Sequence, residues 1–197
     1  MDFQWYPGHM TKAKRMMQEN MKLIDIMIEL VDARIPLSSR NPDIDQLAAN
    51  KSRLILLNKT DMADERVTAQ WEEYFKEKGF YVARTNARSG KGVKGTQAIV
   101  MDACKEKLER DRKRGIKNRP IRAMIAGIPN VGKINIYQQS GWKKPVQKQE
   151  INQELQKGKQ WIKLNKNIEL LDTLEFYGLN LKTSRLASSG IDRIDQR

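Results

Sequence analysis

The sequence predicts an α/β fold built on a doubly wound, mostly parallel sheet, and three observations carry that prediction. Short apolar runs alternate with amphipathic or highly charged stretches of helical length. Several of these runs pass without a spacer into polar loops, of which Asn58-Lys59-Thr60-Asp61 and the segment Gly127 to Lys133 are the clearest. Sheets of this class bind ligands beyond the carboxyl ends of their strands, where such loops lie. Finally, 197 residues with a hydrophobic share of 39% suffice for a full core.

The elements follow in order. Thr11 to Lys22 is a basic, Met-rich helix with Thr11 as its N-cap. Leu23 to Val31 reads as a buried strand ending at Asp32, and Asp32 to Pro42, with two prolines and Ser38-Ser39-Arg40, as a loop. Leu54 to Leu57 is a short strand. Val67, Trp71, Tyr74 and Phe75 recur at i, i+4, i+7 and i+8 and mark an amphipathic helix. Phe80 to Arg84 is a strand, Ala98 to Lys113 one charged helix, and Ile121 to Ala126 a further strand that opens into the Gly127 loop. Ile134 to Gly158 has no clear period, whereas Trp161 to Leu164 and Ile168 to Leu171 form a hairpin across Asn165-Lys166-Asn167.

Composition bounds the function. Cys104 is the only cysteine, which excludes a disulfide framework or a cysteine-rich metal site. No apolar run approaches the roughly 20 residues of a membrane span, and the amino terminus lacks the basic-then-apolar layout of a secretory signal. The expectation is a cytoplasmic, monomeric protein with no membrane partner. Its 37 Lys and Arg against 24 Asp and Glu leave a formal charge of +13, which points to a polyanionic partner such as nucleic acid.

Gly127-Ile128-Pro129-Asn130-Val131-Gly132-Lys133 fits the phosphate-loop pattern G-x-x-x-x-G-K directly after a strand. Its glycines let backbone N–H groups turn inward around phosphate oxygens, and Lys133 would reach the β- and γ-phosphates. Ile134 stands where the pattern has Ser or Thr, so the hydroxyl that would bind Mg²⁺ is missing. Asn58-Lys59-Thr60-Asp61 matches the N-K-x-D signature of GTPases. Its Asp accepts two N–H bonds from guanine, its Asn reaches the N7 edge and its Lys stem covers one face of the base. Asn86-Ala87-Arg88 follows the next strand, where a backbone N–H can cap the guanine oxygen, although a plain loop reads equally well.

The order of these motifs is unusual, with Asn58 to Asp61 ahead of Gly127 to Lys133. Together with Trp5-Tyr6-Pro7-Gly8-His9-Met10 and Val31-Asp32-Ala33-Arg34-Ile35-Pro36, it resembles the circularly permuted GTPases that assemble the bacterial large ribosomal subunit. The likeness covers residues 2–133 and resumes over 159–173. It implies a circularly permuted P-loop GTPase fold over 1–180, with 134–156 and 174–197 matching poorly, and leads to the expectation that the family's carboxy-terminal helical domain is absent.

The resemblance implies GTP/GDP and Mg²⁺ as cofactors and a large-subunit precursor with its rRNA as partner. Asn58, Lys59, Thr60 and Asp61 would bind guanine, Asn86 and Ala87 would line the base, and Asn130, Val131, Gly132, Lys133, Ile134 and Asn135 would surround the phosphates. Asp172 matches the residue that holds Mg²⁺ through water. His9, by itself a packed or solvated side chain, matches the histidine that orients water for attack on the γ-phosphate. The basic run of Arg110, Arg112, Lys113, Arg114, Lys117 and Arg119, by composition a solvated face or a nucleic-acid contact, would meet rRNA phosphates.

Three family features are absent: Ser-Thr after Lys133, a P-G-V-T segment, and P-G after Asp172-Thr173, where Glu175 stands for the switch glycine. A shifted reading frame accounts for them jointly. Codons AAA ATC AAC ATT for Lys133 to Ile136 become Lys-Ser-Thr when one A is lost, and comparable shifts restore the other two. On this reading residues 134–156 lack defined local structure. The function expected is a GTP-binding and GTP-hydrolysing assembly factor. The alternatives are a hydrolysis-defective rRNA-binding protein and a non-functional fragment of such a GTPase.

Overall fold

The computed structural model describes residues 15, 17–116, 119–128, 130–139 and 161–171. Their strands form one six-stranded sheet, β3-β2-β1-β4-β6-β5. β1 (Ile26–Asp32) pairs in parallel with β2 (Ser52–Asn58) and β4 (Ile121–Ala126); β2 pairs in parallel with β3 (Tyr81–Arg84), and β4 with β6 (Ile168–Leu171). Only β5 (Trp161–Lys163) runs antiparallel, as the first arm of the expected hairpin.

The chain thus starts in the middle of the sheet, winds outward through β2 and β3, and returns to the other side with β4. Sheets of this class bind ligands at such a reversal, here the carboxyl ends of β1 and β4. The loops after β1, β2, β3 and β4 all emerge at this edge, which is what places the polar motifs together.

Alternation divides the core. Ile26, Ile28 and Leu30 of β1 join Leu54, Leu56 and Ile125 on one face. Met27 and Val31 face the other side, where Met17, Met21 and Ile24 pack on Met27, and Phe75 and Ile55 on Val31. Between those two apolar clusters lies Glu29, 1% exposed, whose Oε2 accepts from Arg40 Nη2 at 2.9 Å and Arg53 Nη2 at 3.1 Å. Both guanidiniums also lie over the Phe80 ring, at 5.3 and 4.5 Å.

The helices show where tertiary contacts redirect local signals. Residues 17–21 are helical, and the rest of the expected Thr11 to Lys22 helix, apart from helical Arg15, lies outside the described residues or beyond its end. A one-turn helix, α1 (Asp43–Leu47), which the periodicity does not announce, buries Ile44. In α2 (Glu65–Glu77), capped by Asp64 accepting from Val67 N, Phe75 is buried, but Val67 is exposed and Thr68 takes the inward place. The buried stripe is therefore centred on Thr68, Trp71 and Phe75, one position on from the expected start.

The expected single helix from Ala98 to Lys113 is two, α3 (Thr96–Ala103) and α4 (Lys105–Lys113). The Ser52 hydroxyl donates to the Ala103 carbonyl at 2.8 Å, and Cys104 turns into the core. Residues 140–156 lie outside the described residues, and the expectation of poor local order over 134–156 fails for 134–139, where α5 (Lys133–Gln139) continues from the Gly127 loop. Ile136 explains it: its side chain is 1% exposed in the main cluster, and its N–H donates to Gly132 O at 3.1 Å.

Candidate nucleotide site

Three loops converge at the carboxyl edge, and one side chain joins them. Asn58, at the end of β2, is 2% exposed. Its Nδ2 donates to the Val131 carbonyl of the Gly127 loop at 2.7 Å. Its Oδ1 accepts from Ala87 N at 2.8 Å and from Thr85 Oγ1 at 3.3 Å, both in the loop after β3. The sequence places Asn58 and Ala87 against a purine; here the two engage one another and the phosphate-type loop. Gly132 is required by this arrangement, since it holds φ +101° and a Cβ there would stand 2.4 Å from Asn58 Nδ2.

The remaining guanine-loop residues sit on a tight turn. Lys59 adopts a left-handed φ of 63°, which starts the 3₁₀ turn Thr60–Met62. Thr60 Oγ1 donates to Thr85 O at 3.2 Å, tying that turn to the β3 loop, and leaves Asp61 exposed at the edge. Asn86 caps its own turn, accepting from Arg88 N and Ser89 N, each at 3.0 Å.

In the Gly127 loop, Asn130 is exposed with φ 64° and Val131 is buried. Lys133 is 4% exposed and donates to Gly127 O at 2.5 Å, closing the loop on itself. Burial pushes its ammonium down from the usual lysine value to about 8. An anionic group in the loop would reverse that shift. Ile134 is half-buried and Asn135 exposed. Ile134 brings no oxygen to the place where the pattern needs a Mg²⁺ ligand, so the described residues do not fit that ion. They hold no group of three His, Cys, Asp or Glu able to bind a metal. Asp172 and His9 lie outside the described residues.

Two further residues, Asp32 and Arg34, join the site although no motif gives them a role. Asp32 ends β1, beside Asn58 in register, and is 4% exposed. Its Oδ1 accepts from Arg34 Nε at 2.9 Å, and its Oδ2 from Arg34 Nη2 at 2.8 Å and Lys59 Nζ at 2.9 Å. The Arg34 hydrogen bonds, outweighing burial and helped by Lys59, hold the carboxyl well below the usual range. Asp32 in turn, and Asp61 more weakly, raise the Arg34 guanidinium. The signal in the sequence was an acidic residue and an arginine directly after a fully buried strand.

The basic run lies at the opposite edge, because it precedes the start of β4. Arg110, Arg112 and Lys113 occupy the exposed last turn of α4, with Arg114 as its C-cap. Arg119 is committed to Asp25 and Asp111, each at 3.1 Å, so it is not the free cation the sequence suggests. Lys117 lies outside the described residues.

No family model matches the chain. A ribosome biogenesis GTPase A from Bacillus cereus is 50% identical over 173 residues, which are 88% of this chain and 58% of that protein. This chain belongs to the ribosome biogenesis GTPase A family. The member from Thermotoga maritima is 33% identical over 184 residues, 93% of this chain and 63% of its own. Among solved structures, GNP-bound YlqF from T. maritima superposes with a TM-score of 0.57 at 31% identity, covering 82% of this chain and 57% of that one. GDP-bound YlqF gives 0.55 at 26% identity, covering 92% and 70%. The chain therefore spans about three fifths of the curated family members it matches. The family's permuted order agrees with the sheet: the guanine-type loop leaves β2 and the phosphate-type loop leaves β4.

Proposed function

We propose that this chain binds a guanine nucleotide at the carboxyl edge of the sheet, as the nucleotide-binding part of a GTP-hydrolysing assembly factor for the large ribosomal subunit. One observation carries the reading: Asn58 bonds simultaneously to Val131 and Ala87, so the three loops form a single unit. Asp61, exposed beside it, would accept the paired N–H groups of guanine. Asn130 to Lys133 would surround the phosphates, with Lys133 exchanging the Gly127 carbonyl for phosphate oxygens. GDP-bound and GNP-bound relatives support the ligand class.

Titration with GDP and ADP tests it. A site that hydrogen-bonds the guanine edge should prefer GDP by at least about a hundredfold, because adenine leaves the Asp61 carboxylate unpaired. Equal affinity would overturn the reading.

A second reading, a hydrolysis-defective protein that still docks on rRNA, is favoured by Ile134, which cannot ligate Mg²⁺. GTP turnover with large subunits separates the two. If turnover occurs, His9→Ala should lower it and leave GDP affinity intact, as expected for a group that only orients water. Absence of turnover beside normal GDP binding selects the second reading.

A further inference from the structure

We propose that Asp32 is a positioning residue for guanine recognition: it pins the Lys59 ammonium so that the methylene stem forms a fixed platform for one face of the base. The proposal rests on the reading of the carboxyl-edge loops as guanine-binding. Lysine is a flexible four-carbon chain with a mobile point charge, and a loose stem makes a poor stacking surface. Here it is held at both ends. The Lys59 backbone is locked in the left-handed region at φ 63°, and its Nζ lies 2.9 Å from Asp32 Oδ2.

Asp32 is itself immobilised. Arg34 grips both carboxylate oxygens and adds its own N–H to Oδ1 at 3.1 Å, which fixes the carboxylate plane. The Asp32 N–H donates to Ser39 Oγ at 2.9 Å, and Ala33 N–H donates to Asn58 O at 2.8 Å, joining the loop to the guanine turn. At its far end Arg40 is anchored on buried Glu29.

An ion pair serving stability alone would be a weak reason for this construction. The Lys59 side chain is 26% exposed, and pairs near the surface barely offset the ordering of a long side chain. Ordering the stem before the base arrives removes that cost from binding.

Guanosine, GDP and pyrophosphate titrated against the whole chain give the test. Asp32→Asn should weaken guanosine and GDP by the same factor, about tenfold, and leave pyrophosphate unchanged. In a Lys59→Met background, Asp32→Asn should cost nothing further, because no ammonium is left to anchor. If Asp32→Asn does not fold, Arg34→Gln, altered from the exposed side, should give the same base-specific loss. Additive losses in the cycle, or a loss falling equally on pyrophosphate, would overturn the proposal while the guanine site stands. No GDP binding by the unaltered chain would overturn both.

Discussion

Asn58 carries a structural task beside the recognition proposed for its loop. Replacing it with Ala leaves the Val131 carbonyl and the Ala87 N–H without partners in a buried setting. That should destabilise the fold by about 2–3 kcal/mol in chemical denaturation, and weaken GDP through misplacement of the phosphate loop. Lys133 gives a pH signature. Its folded pKa of about 8 lies below the ordinary 10.5, so the unfolded chain binds more protons between those values and stability rises with pH across that window. Bound phosphate favours the ammonium, so nucleotide binding above pH 8 should take up a proton and weaken by up to about tenfold per pH unit. Calorimetry in buffers of different ionisation enthalpy measures the uptake; none at pH 9 would contradict the assignment.

At the scale of elements, α5 carries the position where the phosphate-loop pattern needs a metal ligand. It forms although its sequence departs from the family's, because Ile136 is buried and seven residues without Gly or Pro readily make two turns. Ile134 lies in its first turn. Ile134→Ser should restore a Mg²⁺ ligand and make GDP binding about tenfold tighter with Mg²⁺ than with chelator, whereas the unaltered chain should be indifferent to chelator. The loss of a half-buried apolar side chain should cost up to about 1 kcal/mol of stability. The break at Cys104 has the opposite origin. Residues 98–113 read as one helix, which divides where a hydroxyl from β2 takes the Ala103 carbonyl and Cys104 turns into the core.

Across the described sheet, the edges proposed for nucleotide and for rRNA are separate. The candidate nucleotide loops leave the carboxyl ends of the strands, and the basic turn of α4 lies at the amino edge, ahead of β4. Changing Arg110, Arg112 and Lys113 together to Gln should reduce the salt slope of rRNA binding by about 2–3, and leave GDP affinity unaltered. A filter-binding series over salt concentration would show it; an unchanged slope would remove this turn from the interface. The charge of +13 does not say which cations are open to a partner: Arg119 and Lys107 are engaged by Asp25.

The sheet, and the edge to which its polar loops run, are legible in the residues alone. Leu54–Leu57 of β2 and Ala123–Ala126 of β4 are continuous apolar runs buried on both faces, and each passes directly into its polar loop. Ile134 announced the missing metal ligand in the same way, since a side chain without oxygen needs no fold to be read. The partnerships between segments distant in the chain come from the fold: Asn58 with Val131 and Ala87, Asp32 with Lys59, Arg119 with Asp25, Ser52 with Ala103. Periodicity reports the burial of each residue along its own element. It says nothing about which polar group meets which across the sheet, and those meetings turn three separate loops into one candidate site.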